Sequence, residues 1–379
     1  MMTARTLALH AFASLLMLGS FGCSATGESN PVSGEGGSGG TGAGNGSGGG
    51  IILQGGGGGV GMRDPNDMRD LPTRKRTCDA NGQNCTCLRL ALLGTLDSAA
   101  DETDTTPFVN WLNDNSGGTA TVTMVTTKPT LDGAFLTNYD ILVVANVNTW
   151  TFSAAEKSAV RAWMLESGGG IITLTGFDST AGEPAATTQL IEGAGFSYQS
   201  TQTAPSSGET VPVYFEGGTT NLKNCLWWSG NRQAGITTPI KFAPQTGSME
   251  KLTLALDYVG AFIGWAVAAP AGATTVATDP VTGQPMASAF ELEGKGRVFA
   301  FGDEWVIFAN QWEPSGTPDN QQADMYNPCW HPADASGPAY FHSVATLYQT
   351  KQFWYNAVNW VAPPNECNFI IDDPDVVVR

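Results

Sequence analysis

Two nearly unbroken apolar runs constrain this chain more than any other feature. Leu88 to Leu96 reads LRLALLGTL, and Asp140 to Val147 reads DILVVANV. A strand with one wet face alternates apolar and polar residues, whereas a run apolar at almost every position has both faces buried. Such strands need a covering layer on each side, and the segments between them supply it. Pro107 to Leu112 reads as a short amphipathic helix and Thr119 to Thr126 (TATVTMVT) as a β-branched strand. Ser153-Ala154-Ala155-Glu156 has the form of a capping box. Behind it run Ala159, Val160, Trp163 and Met164 at helical spacing, stopped by Gly168, Gly169 and Gly170, and Ile171 to Leu174 is the next strand. The order β-α-β-β-α-β predicts an α/β domain with a mostly parallel sheet and helices on both faces.

Downstream the pattern loosens. Residues 197–285 are rich in Thr, Gly and Pro, with short β-like pieces such as Val211 to Phe215 and Thr274 to Ala277. This stretch reads as an irregular β-rich insertion or an extension of the sheet. Ala287 to Leu292 and Arg297 to Phe301 then read as two strands joined across Gly294-Lys295-Gly296. A last helix carries Phe353, Trp354, Ala357, Val358 and Val361 on one face and stops at Pro363-Pro364.

The N-terminus has a different character. A basic start with Arg5 and an apolar stretch from Leu7 to Leu18 form a segment too short to span a bilayer as a mature helix; it reads as a signal peptide, 1–22. Ser20-Phe21-Gly22-Cys23 resembles a bacterial lipobox, which makes Cys23 the acylated first residue of the mature chain; ordinary cleavage and secretion is the alternative. Residues 23–62 form a tether in which nearly every second residue is Gly, a composition that buries no core. A Cys-containing linker, 63–87, includes the basic run Arg74-Lys75-Arg76, read as a solvated linker or a processing site. The folded domain is expected over 88–379. These features predict an exported protein of the bacterial outer membrane or cell surface.

Charge and cysteines narrow the partners. The formal net charge is −17 with only 18 Lys and Arg, which argues against nucleic acid. The expected partners are the bilayer, through acyl chains rather than headgroups, and a glycan or an envelope protein. Of seven cysteines, acylation of Cys23 would leave an even set: Cys78, Cys85, Cys87, Cys225, Cys329 and Cys367. In an oxidising compartment these are expected to form disulfides of undetermined pairing, with Cys85 and Cys87 too close to join each other. A metal site on Cys78, Cys85 and Cys87 is the competing reading. Asp79 to Asn84 superficially resembles the start of a Ca²⁺ loop, but without the later Glu it is better read as a disulfide-bounded turn.

Tyr139-Asp140-Ile141-Leu142-Val143, the capped helix, and Gly168-Gly169-Gly170-Ile171-Ile172 together resemble the class I glutamine-amidotransferase-like superfamily, in particular its trehalose-utilisation-type branch. Gly294 to Phe299 and Phe353 to Trp360 are similar to that branch too. The resemblance implies a flavodoxin-like fold. It also implies where a nucleophilic Cys and its His would sit, and this sequence has Asp178 and Asp303-Glu304 at those positions. The resemblance therefore implies a domain without the glutaminase machinery.

Ligands of open α/β sheets bind beyond the carboxyl ends of the strands. The residues expected there are Asp97, Asn146, Asp178, Asp303 and Glu304, with Asn148 beside Asn146. Carboxylates from three strand ends, Asp97, Asp178 and Asp303, would suit a hard cation, Ca²⁺ or Mg²⁺. The same groups would suit sugar hydroxyls, with Trp150, Trp305 or Trp312 as an apolar platform. Three functions stay open: a non-catalytic ligand-binding domain, a carbohydrate hydrolase using paired carboxylates, and a purely structural or interaction module. The plainer alternative for the acids is that they cap helices or lie in solvated loops, and for the second-half tryptophans that they fill a core.

Overall fold

The computed structural model describes residues 67, 69–95, 104–176, 182–202, 238–261, 264–279, 283–308, 312, 349–366 and 371–378. The signal segment, the tether, Cys23, Asp97, Asp178, Cys225, Cys329, Cys367 and the β-like piece 211–215 lie outside these residues.

The main sheet has nine strands in the order β2-β1-β3-β4-β11-β10-β9-β6-β7. Its first half is parallel: β2 (Ala120–Val125), β1 (Leu88–Leu93), β3 (Ile141–Val144), β4 (Gly170–Thr173) and β11 (Arg297–Phe301). With β11 as fifth strand this is the 2-1-3-4-5 order of the flavodoxin-like doubly wound sheet, as the resemblance implied. The second half is antiparallel: β10 (Pro285–Glu291), β9 (Thr274–Thr278), β6 (Thr238–Phe242) and β7 (Tyr258–Ala261). The insertion is thus in part an extension of the sheet. Its other described strands, β5 (Ser197–Gln202) and β8 (Trp265–Ala268), pair as a separate antiparallel ribbon.

The double burial read from the sequence is what divides the core in two. On β1, Leu88, Leu90 and Leu92 face one core while Ala91 and Leu93 face the other. Ile141 and Val143 of β3 and Phe299 and Phe301 of β11 join the first; Leu142, Val144, Val298 and Ala300 join the second. The first core is covered by α1 (Thr106–Asn115), through Phe108, Trp111 and Leu112, and by α5 (Thr350–Val361). The second is covered by the short α2 (Gly133–Leu136), by α3 (Ala154–Ser167) and by α4 (Gly182–Ile191). No described helix is long and apolar enough to cross a membrane.

The first strand is shorter than its apolar run because of Gly94. This residue has φ +152°, and a Cβ there would lie 1.6 Å from the Ala145 carbonyl oxygen. Only glycine permits the chain to turn out of β1 against the end of β3.

The segment read as a linker is partly packed across the amino edge of the sheet. The buried Arg69 guanidinium is paired with Asp67 at 2.7 Å and donates to the Lys295 and Ala362 carbonyls. Arg74, half-buried, reaches the buried Asp140 at 3.4 Å, whereas Lys75 and Arg76 are exposed. Cys78 and Cys85 form a disulfide, and Cys87 is disulfide-bonded as well. Between Cys78 and Cys85, Asp79 accepts the N–H groups of Asn81 and Gln83 and an Asn84 amide proton, so the turn is closed by its own carboxylate.

The α3 capping box is formed as the sequence predicts. Ser153 Oγ accepts the Glu156 N–H at 3.2 Å, and Glu156 Oε2 accepts the Ser153 N–H at 2.8 Å. Burial alone would raise the Glu156 pKa, but Lys128 Nζ at 2.6 Å, the Ser153 groups and the Leu131 N–H outweigh it and hold it at about 2. A depressed carboxyl contributes stability above its unfolded value of 4.5, and that contribution drains away as pH falls toward 2. We therefore expect Glu156→Gln to be less stable than wild type at neutral pH and the gap to close between about pH 4.5 and 2, measured by urea unfolding. A gap independent of pH would contradict this origin.

Candidate functional site

The carboxyl ends of the parallel strands form one edge, and there the described residues join the ends of β1, β3, β4 and β11 in pairs. At the switch point between β1 and β3, Thr95 N–H donates to the Asn146 carbonyl at 3.0 Å and Asn146 Nδ2 donates to the Thr95 carbonyl at 3.1 Å. Asn146 is buried and left-handed, with φ +53°. Its short amide tolerates that backbone and ties the two strand ends together. The side chain is thus engaged by the fold itself.

The ends of β4 and β11 are joined by residues from β5 and β8. Tyr198 of β5 is buried, its hydroxyl 3.0 Å from the carbonyls of Thr173 and Phe301 and 2.8 Å from Thr173 Oγ1. Burial first, and then the nearby Glu183 charge, raise its pKa against the bonds to Thr173 and Phe301, so the group stays a neutral donor. Trp265 of β8 donates its indole N–H to the Gly176 carbonyl at 2.8 Å and its backbone N–H to the Gly302 carbonyl at 2.7 Å. A Cβ on Gly302 would lie 1.9 Å from the Trp265 carbonyl oxygen, so the close approach requires glycine.

Three acidic residues sit at this junction. Glu183, in the first turn of α4, is fully buried and accepts the Gly176 N–H at 2.8 Å. Asp303 is fully buried at the end of β11 and accepts the Trp305 N–H at 2.6 Å, just ahead of the 3₁₀ turn Trp305–Ile307, whose N-cap is Glu304. Glu304 follows it and is buried too. Carboxylates are seldom fully buried unless they are hydrogen-bonded or matched by positive charge. Among the described residues, no three His, Cys, Asp or Glu side chains are grouped as metal ligands would be.

Of the sequence-derived site residues, the structure therefore brings Asp303 and Glu304 to one strand end and Asn146 to the switch point two strands away. Sheet strands lie about 4.8 Å apart, so these loci are about 10 Å from each other. The aromatic platform needs correction. Trp150 is packed edge-on to Phe152, and Trp312 lies against Phe108 and Trp111 with its indole N–H on the Val306 carbonyl. Both are buried members of the two cores, leaving Trp305, half-buried beside Phe308, as the partly open ring of the three. Glu183, Tyr198 and Trp265 escaped the sequence reading. The one local signal was Glu183 before Pro184 in a helix-opening position.

No protein-family model and no curated protein matches this chain. Solved structures do. The N-terminal domain of mmIFT52 aligns at 13% identity over 58% of this chain and 88% of that one, with a TM-score of 0.40. A ThuA-like protein from Bacteroides uniformis aligns at 10% identity over 57% of this chain and 80% of that one, TM-score 0.34. A ThuA-like protein from Parabacteroides merdae gives 11% identity, 56% and 78% coverage, and TM-score 0.32. None of these bears on a residue of the site.

The junction has a measurable energetic signature. Tyr198→Phe removes the hydroxyl and leaves buried carbonyl oxygens short of a donor, which should cost about 1–3 kcal/mol. Denaturant titration should show a lower midpoint with an unchanged slope; an unchanged midpoint would mean that the hydroxyl does not hold β4 to β11.

Proposed function

We propose that this chain is an exported, lipid-anchored envelope protein whose amidotransferase-like domain binds a hard cation of the Ca²⁺ or Mg²⁺ class at the carboxyl edge of its parallel strands, without catalysing a reaction. The observation that carries the reading is the burial of Glu183, Asp303 and Glu304 where β4 and β11 end. A cation of that class takes oxygen ligands, and one of these buried carboxylates together with neighbouring hydroxyl and carbonyl oxygens would hold it. Asp178 follows β4 in the sequence and Asp97 follows β1, so both belong to loops that leave the same edge. The sequence around these strand ends carries no Cys-His pair that would argue for the superfamily's glutaminase chemistry.

Export and anchoring rest on the first 62 residues. The apolar stretch, Gly22-Cys23 and the Gly-rich tether follow one another in the order an acylated surface protein needs. A destination at the outer membrane or cell surface, with a glycan or envelope protein as further partner, completes the reading.

Two experiments test it. Ca²⁺ should raise the melting temperature of the protein, since a ligand that binds only the folded state stabilises it by mass action. Asp303→Asn keeps an acceptor for the Trp305 N–H but removes a charge, and should blunt that rise; a melting curve indifferent to Ca²⁺ and Mg²⁺ alike would remove the cation from the account. Separately, metabolic labelling with a palmitate analogue should mark the wild type and not Cys23→Ala. Label on both, or on neither, would contradict the anchor.

A further inference from the structure

Two threonine hydroxyls at the carboxyl edge are enclosed without a hydrogen-bond partner. Thr175 and Thr187 are fully buried, and neither Oγ1 meets a donor or acceptor. Such a group costs about 1–3 kcal/mol relative to one that is satisfied or replaced by a methyl. Their placement is what makes the pair informative. Thr173 and Thr175 are two residues apart along the extended chain leaving β4, so both project to the same face. Thr173 Oγ1 is engaged by Tyr198, and the next residue after Thr175, Gly176, gives its N–H to Glu183. Glu183 and Thr187 are four residues apart on α4 and so lie on one side of that helix. The Gly176–Glu183 bond joins the two elements, so Thr175, Glu183 and Thr187 all belong to the seam between the end of β4 and the opening turns of α4.

We propose that Thr175, Thr187 and Glu183 are oxygen ligands of the cation assigned to this edge, forming its inner wall. The inference rests on the cation reading above and adds to it the residues that hold the ion from the α4 side. A helix opening by itself favours an anion. Here the opening turn already carries a negative charge of its own, the Glu183 carboxylate, which accepts the Gly176 N–H. The Glu183 carboxylate repels an anion, whereas Ca²⁺ takes the lone pairs of the carboxylate and of both hydroxyls.

Valine has nearly the shape of threonine and lacks the oxygen, so the test isolates the ligand atom. With full-length protein and CaCl₂ as the probe, Thr175→Val and Thr187→Val should each weaken the apparent Ca²⁺ affinity by about tenfold or more, read from the Ca²⁺ dependence of the melting temperature. In chelator the same variants should melt at or above the wild-type temperature, because an unsatisfied hydroxyl has been removed. Thr175→Ser, which keeps the oxygen, should keep the Ca²⁺ response. A wild-type response left intact in both valine variants overturns this assignment while leaving the cation reading standing. A wild type that does not respond to Ca²⁺ at all overturns the cation reading and this assignment with it.

Discussion

Trp265 supplies the contact on which the carboxyl edge depends. β8 is not a strand of the nine-stranded sheet, yet this residue donates its backbone N–H to the end of β11 and its indole N–H to the end of β4. Both acceptors are carbonyls of glycines, and at Gly302 the approach is close enough that any side chain would collide with it. Tyr198, from the partner strand β5, makes the same connection one layer inward. The β5–β8 ribbon thus fixes the spacing of the two strand ends that present Glu183, Asp303 and Glu304. A buried polar network of this kind holds one geometry because each missing bond in a low-dielectric interior is expensive.

The two edges of the parallel half are chemically opposite. At the amino edge the acids are answered by arginines: Asp140 by Arg89 and Arg74, Asp67 by Arg69, and Glu291 by Arg297, which also stacks on Trp360. That edge is closed by the chain segment arriving from the N-terminus and is built for stability. At the carboxyl edge, burial falls on acids and hydroxyls. Doubly wound sheets place their ligands beyond this second edge, at the switch point where neighbouring loops run to opposite faces of the sheet. A chain carrying −17 overall and few basic residues makes the concentration of arginines at one edge a matter of placement rather than of abundance.

The sequence was most legible where a single segment decides its own structure. LRLALL is apolar on both sides and is a strand buried on both sides. Ser153 and Glu156 form their reciprocal cap with nothing else required, and Gly168 ends the helix in a left-handed conformation. The disulfide-bounded turn was legible for the same reason, since Asp79 bonds within six residues of itself. The strand-end position of Asn146 and Asp303 could be read, but not that Asn146 is consumed by Thr95. The antiparallel extension resisted reading because its strands are short and its register is set by pairing across chain crossings. Glu183 and Trp265 were illegible as site residues: the Trp265–Gly176 bond spans 89 residues, and no local pattern announces it.

The central claim is that the carboxyl edge beside Gly176 holds one hard cation. Terbium takes the oxygen ligands of Ca²⁺ and emits when a nearby indole is excited, and Trp265 lies against this edge. Tryptophan-sensitised terbium emission should saturate at one ion per chain and be displaced by Ca²⁺. Emission that never saturates, or that Ca²⁺ does not displace, would contradict it.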